Sequence, residues 1–384
     1  MSLNQQRIGD VHNKRSASVL KAQSANSVFD CSSYVPDNSP IIPVNKEFFN
    51  INDIRKITND SINDYTAAVW SPNGEYIVFV VPTSDVHNLT NGDPGVSDVS
   101  AQPIAMSKNN LLLYTVKDSS WELMAKDGTR PVWAKDGRSI YYLAGQDLLQ
   151  FELDTRTERR VGLSSPDTNT CLLISRPLPD GTLFAPREPH ASMEIQGGGV
   201  ASSVQLSVTE NDSITVSPTG DQFIVIYGAT TQRDQVTPAT AEVHRADGTV
   251  TPLLRNCNDS ALEMVWSSDG SQIAYPVRAE RPEIRVYDVA SAQTSILVRL
   301  DLFDVLSGLS WSSDGRYLAF AQGDGRSEPR SLWVVATDGT FRQRIGDGFL
   351  PNWSPDGTHL LYAQPGSLRL LDWFVLDIKA QGGN

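Results

Sequence analysis

The feature that most constrains the fold of this chain is a short motif, Trp-Ser-x-Asp-Gly, that recurs along most of its 384 residues. Seven copies align, with successive glycines 39 to 63 residues apart. Most intervals match the ~40–50 residues of a four-stranded propeller blade. The motif glycines and the five motif tryptophans are Gly74, Gly137, Gly181, Gly220, Gly270, Gly315, Gly357, Trp70, Trp133, Trp266, Trp311 and Trp353. The sequence therefore predicts an all-β fold, a seven-bladed β-propeller of four-stranded antiparallel blades. The alternative of six blades treats the third copy, which lacks tryptophan, as an insertion.

The residues around the motif predict a tight turn followed by a strand. Proline presets φ, serine and aspartate bond local backbone groups, and glycine adopts a positive φ. The third residue after the glycine is apolar and the fifth is aromatic or branched, as at Leu318 and Phe320. This period of two is typical of a strand that packs on a neighbouring sheet. The tryptophan is expected to fill the space between blades. A ligand-stacking aromatic ladder is the rival interpretation.

The segment 54–58, upstream of the first motif, matches the outer fourth strand of a repeat, whereas the seventh copy ends after three strands. We therefore predict that this N-terminal strand closes the ring by completing the last blade. Closure removes the exposed strand edges of an open ring.

The pattern Trp-Ser-Pro-Asp-Gly-x-x-Ile-x-Phe, followed by a hairpin with Asp-Gly or Asp-x-x-Thr in its turn, resembles the TolB-like propeller repeat. The resemblance covers roughly residues 50–378 and implies a propeller fold. The same repeat is similar to that of TolB, of prolyl-oligopeptidase-type peptidases and of some polysaccharide lyases. The chain differs from TolB because only about 50 residues precede the first repeat, and from the peptidases because it has no Gly-x-Ser-x-Gly motif. The resemblance therefore leaves the function open.

Two regions are expected along the chain, an N-terminal arm over residues 1–48 and a β-propeller over residues 49–384. The arm is rich in serine and asparagine and has no apolar period, so it is predicted to be disordered or to order on a partner. In the second case, Val19-Leu20 and Phe29 would be its anchors.

The loops between the second and third strands of the blades are the predicted binding face, because they emerge on one side and vary in length. The longest are predicted in the first, fourth and sixth repeats. The charged candidates for this face are Asp85, His87, Asp93, Asp98, Arg233, Asp234, Arg278, Glu280, Asp324, Arg326 and Glu328. Such a mixed set of charges is typical of a solvated surface or of a protein-binding rim.

No residue pattern predicts catalysis, a metal or a cofactor. The five histidines, His12, His87, His190, His244 and His359, are not spaced as ligand pairs. The three cysteines, Cys31, Cys171 and Cys257, form no metal motif and give no support for a disulfide framework, so they are expected to be thiols. The formal net charge of −13 argues against binding nucleic acid, and no apolar run is long enough to insert into a membrane.

These observations favour a non-catalytic propeller that serves as a protein-interaction platform or as an accessory subunit of a larger assembly. The partner is expected to be a protein. The alternative is a propeller enzyme of the polysaccharide lyase or hydrolase type, acting on sugar or peptide in the central channel. A third, weaker alternative is a carbohydrate- or wall-binding module. The first 30 residues contain no secretory signal, which favours the cytoplasm unless a leader has been removed.

Overall fold

The computed structural model describes residues 28–30, 44–45, 47–51, 53–58, 67–82, 109–145, 147–163, 192–197, 200–205, 213–228, 230–232, 235–237, 239–245, 247–257, 263–277, 281–301, 305–323, 330–366 and 371–380. Every regular element in these ranges is a β-strand. The described ranges hold no helix long and apolar enough to cross a membrane. Blades are numbered here by the repeat with which each begins.

Four short strands precede the first repeat: β1 (Phe29–Asp30), β2 (Val44–Asn45), β3 (Phe49–Asn50) and β4 (Ile54–Lys56). Blades 1 and 2 are four-stranded antiparallel sheets with their strands in sequence order. Blade 1 contains β5 (Ala67–Trp70), β6 (Tyr76–Pro82), β7 (Asn109–Thr115) and β8 (Ser120–Ala125). Blade 2 contains β9 (Gly128–Trp133), β10 (Ser139–Ala144), β11 (Asp147–Glu152) and β12 (Thr157–Leu163).

The third repeat is described only as a hairpin of β13 (Ser192–Gly197) and β14 (Val200–Gln205). Its motif glycine, Gly181, lies outside the described residues. The other six repeats each supply strands to a sheet of at least four strands in the described ranges. The all-β propeller prediction is confirmed, and the count of seven blades stays a prediction that depends on this third repeat.

Blade 4 consists of β15 (Ser213–Val216), β16 (Gln222–Tyr227), β19 (Ala239–Arg245) and β20 (Val250–Cys257), with a hairpin of β17 (Thr230–Gln232) and β18 (Gln235–Thr237) between its middle strands. Blade 5 consists of β21 (Val265–Trp266), β22 (Gln272–Val277), β23 (Glu283–Asp288) and β24 (Gln293–Arg299). Blade 6 consists of β25 (Val305–Trp311), β26 (Tyr317–Gly323), β27 (Ser331–Ala336) and β28 (Phe341–Asp347).

Blade 7 consists of β29 (Phe349–Trp353), β30 (His359–Pro365), β31 (Leu371–Asp377) and, as its fourth strand, β4. Strand β4 runs antiparallel to β31, with Ile54 opposite Leu376 and Lys56 opposite Phe374. The predicted closure of the ring by an N-terminal strand is therefore confirmed. Beyond β31, β32 (Lys379–Ala380) pairs with β3.

The hydrophobic core lies between neighbouring blades, as the alternating pattern of the strands predicts. Each motif tryptophan pairs across its hairpin with the apolar residue three positions after the glycine, as Trp311 does with Leu318. The ring then packs on the preceding blade. Trp353, for example, belongs to one buried cluster with Leu332 and Val334 of blade 6.

Two strands from the N-terminal region extend the outer edges of other blades. Strand β1 runs parallel to β20 of blade 4, with Phe29 opposite Leu254. Strand β2 runs parallel to β28 of blade 6, with Val44 opposite Phe341. Both lie in the region expected to be an arm, so these parts of it pair with the propeller of their own chain. Val19-Leu20 lies outside the described residues.

Phe29 also covers a buried group of charges in blade 5. Its ring lies 4.0 Å from the guanidinium carbon of Arg285. The Glu283 carboxylate, which is fully buried, accepts hydrogen bonds from Arg285 Nε at 2.9 Å and from Arg299 Nε at 2.6 Å. Buried charges of this kind are stable only when they are paired. The strand β1 thus covers an ion-pair group as well as a strand edge.

The next N-terminal residues fill the space between blades 6 and 7. Gln343 Oε1 accepts hydrogen bonds from the backbone N–H groups of Phe48 and Phe49, both at 2.7 Å, and Gln343 Nε2 donates to the Phe49 carbonyl at 3.0 Å. The Phe49 ring is 2% exposed and lies against Tyr317 and Trp353. A single buried amide therefore fixes the segment through three backbone groups.

The expectation that all three cysteines are thiols is wrong for Cys257, which is disulfide-bonded. Cys257 ends β20 and is buried. Its partner lies outside the described residues. The spacing of three scattered cysteines gives no indication of pairing, because the contact depends on the position of other strands in the folded ring.

Candidate binding site on the turn face

None of the residues of the predicted binding face is described. The charged positions from Asp85 to Glu328 fall in the ranges 83–108, 233–234, 278–280 and 324–329, all outside the described residues. That surface remains a prediction. The opposite surface is described in most blades, because the turns between the first and second strands and between the third and fourth strands emerge there. We call it the turn face.

The motif turns are held by a repeated set of hydrogen bonds. In blade 6, the Ser312 hydroxyl donates to Asp314 Oδ1 at 2.6 Å and accepts from the Tyr317 N–H at 2.9 Å. The same arrangement in blade 1 uses Ser71 and Asn73. The motif glycine adopts a positive φ, 70° at Gly315. The serine and aspartate of the motif therefore serve the turn, and they are explained without a ligand.

Four motif tryptophans bind the preceding blade through the indole N–H. In each case the acceptor is a backbone carbonyl of the preceding blade, at the residue immediately before that blade's motif. These bonds are Trp70 to Asn352 at 3.2 Å, Trp133 to Val69 at 3.2 Å, Trp266 to Thr215 at 3.1 Å and Trp311 to Val265 at 3.1 Å. All four rings are at most 8% exposed. Because the rings are buried between strands, they form no exposed stack on which a ligand could lie.

Trp353 is the exception among the motif tryptophans. Its side chain is 5% exposed, and its Nε1 is buried without a hydrogen-bond acceptor among the described residues. The equivalent acceptor would be the carbonyl of Ser310. Instead, the Ser310 hydroxyl accepts a hydrogen bond from the Trp353 backbone N–H at 3.0 Å. A buried donor without an acceptor is uncommon and costs free energy in the folded state.

A cavity of about 440 Å³ opens among the motif residues of blades 4 to 7. Its wall contains the motif tryptophans of blades 5 to 7, the residues that precede them, and the third residue of each motif. The lining residues are Thr215, Val216, Pro218, Met264, Val265, Trp266, Ser268, Leu309, Ser310, Trp311, Ser313, Asn352, Trp353, Ser354 and Pro355. None of these side chains is ionisable. The wall offers hydroxyl, amide, indole and apolar groups, which can bind and orient a ligand.

Carboxylates surround this cavity on the turns. Burial raises the pKa of Asp269, Asp314 and Asp356, but hydrogen bonds from the serine two residues earlier and from the backbone N–H two residues later outweigh it. The pKa of each therefore lies below the ordinary value of 3.8. The three groups are ionised at neutral pH and stay ionised in mild acid.

The described histidines do not form a catalytic group. The His244 ring stacks on Phe223 with centroids 4.8 Å apart. Burial lowers the pKa of His244, and the Glu242 carboxylate, 3.3 Å away, partly offsets this lowering. His359 Nε2 lies 3.2 Å from Asp377, the residue opposite it on the neighbouring strand of blade 7. Within the described ranges, no three His, Cys, Asp or Glu side chains are close enough to hold a metal ion. His12, His87 and His190 lie outside them.

No protein-family model and no curated protein matches the chain. Among solved structures, it is similar to the β-propeller domain of the Trilobed protease from Pyrococcus furiosus, at 12% identity and a TM-score of 0.55, over 85% of this chain and 97% of that one. It is similar to oligogalacturonate lyase in complex with manganese, at 12% identity and a TM-score of 0.54, over 88% and 97% of the two chains. TolB from Acinetobacter baumannii matches at 16% identity and a TM-score of 0.40, over 76% of this chain, which spans 57% of that TolB. WD40-repeat structures also match.

These likenesses show the β-propeller fold that the TolB-like repeat implied. They include a lyase, a protease domain and WD40 proteins, so the fold does not select a function. Only the residues of the site itself can indicate what it binds. The cavity itself was not foreseen from the sequence, although its lining residues belong to the motif or lie just before it, because the motif is common to nearly all blades and does not show where a cavity forms.

Proposed function

We propose that this chain is a non-catalytic β-propeller that serves as a protein-interaction platform, and that its turn face is one of the surfaces used. One observation carries the proposal: the described residues that line the cavity on that face carry groups that bind but do not transfer protons. General acid–base catalysis needs a positioned His, Asp, Glu, Lys, Tyr or Cys. The cavity offers serine, threonine and asparagine groups beside the three tryptophans.

The rigidity of the scaffold also supports a platform. The motif turns are fixed by serine and aspartate, and four blade interfaces are joined by indole hydrogen bonds. Surfaces built on fixed strands and turns lose little conformational entropy when a partner binds. Loops on such scaffolds commonly carry recognition.

Affinity purification of the tagged chain followed by mass spectrometry tests the proposal. We expect at least one protein that co-purifies in fixed proportion and that re-forms a complex with the purified chain in size-exclusion chromatography with light scattering. A parallel assay with oligogalacturonides and manganese, and with unstructured peptides, should show no turnover. Turnover of either substrate without any stoichiometric partner would overturn the proposal in favour of the enzyme alternative.

A further inference from the structure

Cys257 forms a covalent bond to a residue outside the part of the chain that the structure describes. It ends β20, is 2% exposed and is disulfide-bonded. The chain has two other cysteines, Cys31 and Cys171, and neither is among the described residues. The partner of Cys257 is therefore one of these two, and the pairing of the described strands distinguishes between them.

Strand β1 leads towards Cys257. It runs parallel to β20, with Asp30 opposite Arg255, so both strands advance in the same direction. Cys31 follows Asp30 directly. Cys257 stands two positions after Arg255 on the other strand. Neighbouring strands lie ~4.8 Å apart and rise ~3.3 Å per residue. Continuing this register by one residue gives a Cα–Cα separation of roughly 6 Å, within the ~4.4–6.8 Å that disulfides require.

The face of the sheet agrees with the register. Phe29 and Cys257 belong to one buried cluster between blades 4 and 5, together with Tyr275 of blade 5. Residues two apart in a strand share a face of the sheet. Position 31 is two residues after Phe29, so the period of a strand assigns Cys31 to the face on which Cys257 is buried.

No comparable observation brings Cys171 to the end of β20. In sequence it lies between β12 of blade 2, which ends at Leu163, and the hairpin of β13 and β14. Among the described strands, no pairing joins either element to blade 4. The described contacts therefore favour Cys31 as the partner.

We propose that Cys257 is cross-linked to Cys31, and that this bond fixes strand β1 on the outer edge of blade 4 in oxidising surroundings and releases it in reducing ones. The proposal is independent of the interaction function proposed above. A strand of two residues forms few hydrogen bonds, so pairing alone holds β1 weakly. The cross-link joins two distant parts of the sequence, and closing so long a loop removes many conformations from the unfolded chain.

The bond forms by thiol–disulfide exchange with a small disulfide such as glutathione disulfide. The Cys31 thiolate attacks one sulfur of this reagent and expels a glutathione thiolate, which leaves a mixed disulfide. The Cys257 thiolate then attacks the Cys31 sulfur and expels the second glutathione thiolate. The two cysteines lose two protons and two electrons, and the reagent takes these up as two glutathione thiols. A dithiol in excess reverses the reaction.

Release of β1 would uncover a buried group of charges. The Phe29 ring lies 4.0 Å from the guanidinium carbon of Arg285. Arg285 and Arg299 both donate to the Glu283 carboxylate, and these three side chains are at most 2% exposed. Water that reaches them would weaken their hydrogen bonds. The redox state of Cys257 thus determines how well this part of blade 5 is covered.

Peptide mapping tests the assignment on the wild-type chain. The purified chain is oxidised with glutathione disulfide, its free thiols are alkylated with iodoacetamide, and it is digested with trypsin without reduction. Cleavage after lysine and arginine leaves the three cysteines on separate peptides. We expect mass spectrometry to find the peptides of Cys31 and Cys257 joined, and Cys171 alkylated. Cys257 in any other state, joined to Cys171 or alkylated, overturns the proposal.

Hydrogen–deuterium exchange tests the release of β1. We expect the amides of Phe29 and Asp30 to exchange about tenfold or more faster after dithiothreitol is added, and also in the variant Cys31→Ser. The matched control, Cys171→Ser, should exchange as the wild-type chain does and should respond to dithiothreitol in the same way. Equal exchange in the oxidised and reduced wild-type chains would show that the cross-link does not anchor β1.

Discussion

The turns of blades 1 and 2 and the turns of blades 4 to 7 follow the same motif but differ in charge. In blades 1 and 2, acids and bases are nearly balanced, with Lys117, Lys135, Arg138 and Arg156 beside Glu75, Asp118, Asp136, Glu152 and Asp154. In blades 4 to 7, acids dominate, and these blades also line the cavity. The same half of the ring receives β1, β2, β4 and the Phe48-Phe49 segment. All the blades thus share one scaffold, but the acidic turns, the cavity and the added N-terminal strands lie in the same half of the ring.

The difference shows which residues serve the fold and which are open to specialisation. Ser71 and Ser312 make the same turn contacts in the two halves, and Trp133 and Trp311 both donate to a carbonyl of the preceding blade, so the roles of these motif residues are structural. The charges vary at positions that the motif does not constrain, whereas the broken hydrogen bond at Trp353 occurs within the motif itself. Variants in the two halves of the ring can test this division.

Removal of residues 50–60 should have the largest effect. These residues include β4, and Thr58 is fully buried and accepts a hydrogen bond from the Trp373 N–H at 3.0 Å. We expect the free energy of unfolding to fall by about 5 kcal/mol or more, measured by urea denaturation. Ile54→Ala, at a side chain 44% exposed, is the control and should cost less than about 1 kcal/mol. Unchanged stability of the deleted chain would refute closure by β4 as a requirement of the fold.

Trp133→Ala and Trp311→Ala compare the two halves directly. Both rings are buried, and both donate to a carbonyl of the preceding blade. Each replacement should cost ~3–5 kcal/mol in chemical denaturation, and the two costs should agree within about 1 kcal/mol. A cost below about 1 kcal/mol at either site would mean that the tryptophan there is not part of the core.

Gln343→Ala tests the extra segment of the acidic half. The change removes three hydrogen bonds and leaves buried groups of Phe48 and Phe49 unpaired. We expect a loss of about 2–3 kcal/mol, with faster amide exchange at Phe48 and Phe49 before other sites. Gln293→Ala, at a partly exposed residue with one long bond of 3.5 Å, serves as the control. If exchange at Phe49 is unaffected, Gln343 does not hold the segment.

The smallest effect concerns pH. The pKa values of Asp269, Asp314 and Asp356 are lower in the folded chain than their ordinary value of 3.8. Their contribution to stability is therefore present above this value and is lost as pH falls through the folded pKa values. Between pH 5 and pH 3, the wild-type Tm should drop more than that of a variant that carries Asp269→Asn, Asp314→Asn and Asp356→Asn. The difference should stay below roughly 4 °C, because these carboxylates are largely exposed to solvent. An equal drop would show that the turn carboxylates do not contribute.

The fold could be predicted from the sequence because its signal is repeated and local. Motif tryptophans such as Trp70, turn glycines such as Gly74 and the closing strand at 54–58 each follow from spacing and turn chemistry. Strands β1 and β2 could not be predicted, since a two-residue strand has no period and its partner lies far away in sequence. The disulfide of Cys257 was missed for the same reason.

The site was less predictable than the fold. The charge excess on the turns of blades 4 to 7 was visible in the sequence and could have been found by summing charge turn by turn. The unpaired N–H of Trp353 could not, because its motif, Trp353-Ser-Pro-Asp-Gly357, is the most regular of the seven. The missing acceptor of Trp353 Nε1 depends on how Ser310 lies in the neighbouring blade, and this position is defined only in the folded ring.

The pairing of β4 with blade 7 has a consequence for how the protein is made. Thr58 and Trp373, which bond to each other, are 315 positions apart. At the usual rate of synthesis, ~5–20 residues per second, the early strand leaves the ribosome roughly 15 to 60 s before its partner exists. Strands β1 and β2 are likewise synthesised well before their partners, β20 and β28. Strand β4 thus finds its place late, and the ring can close only after β31 has been made.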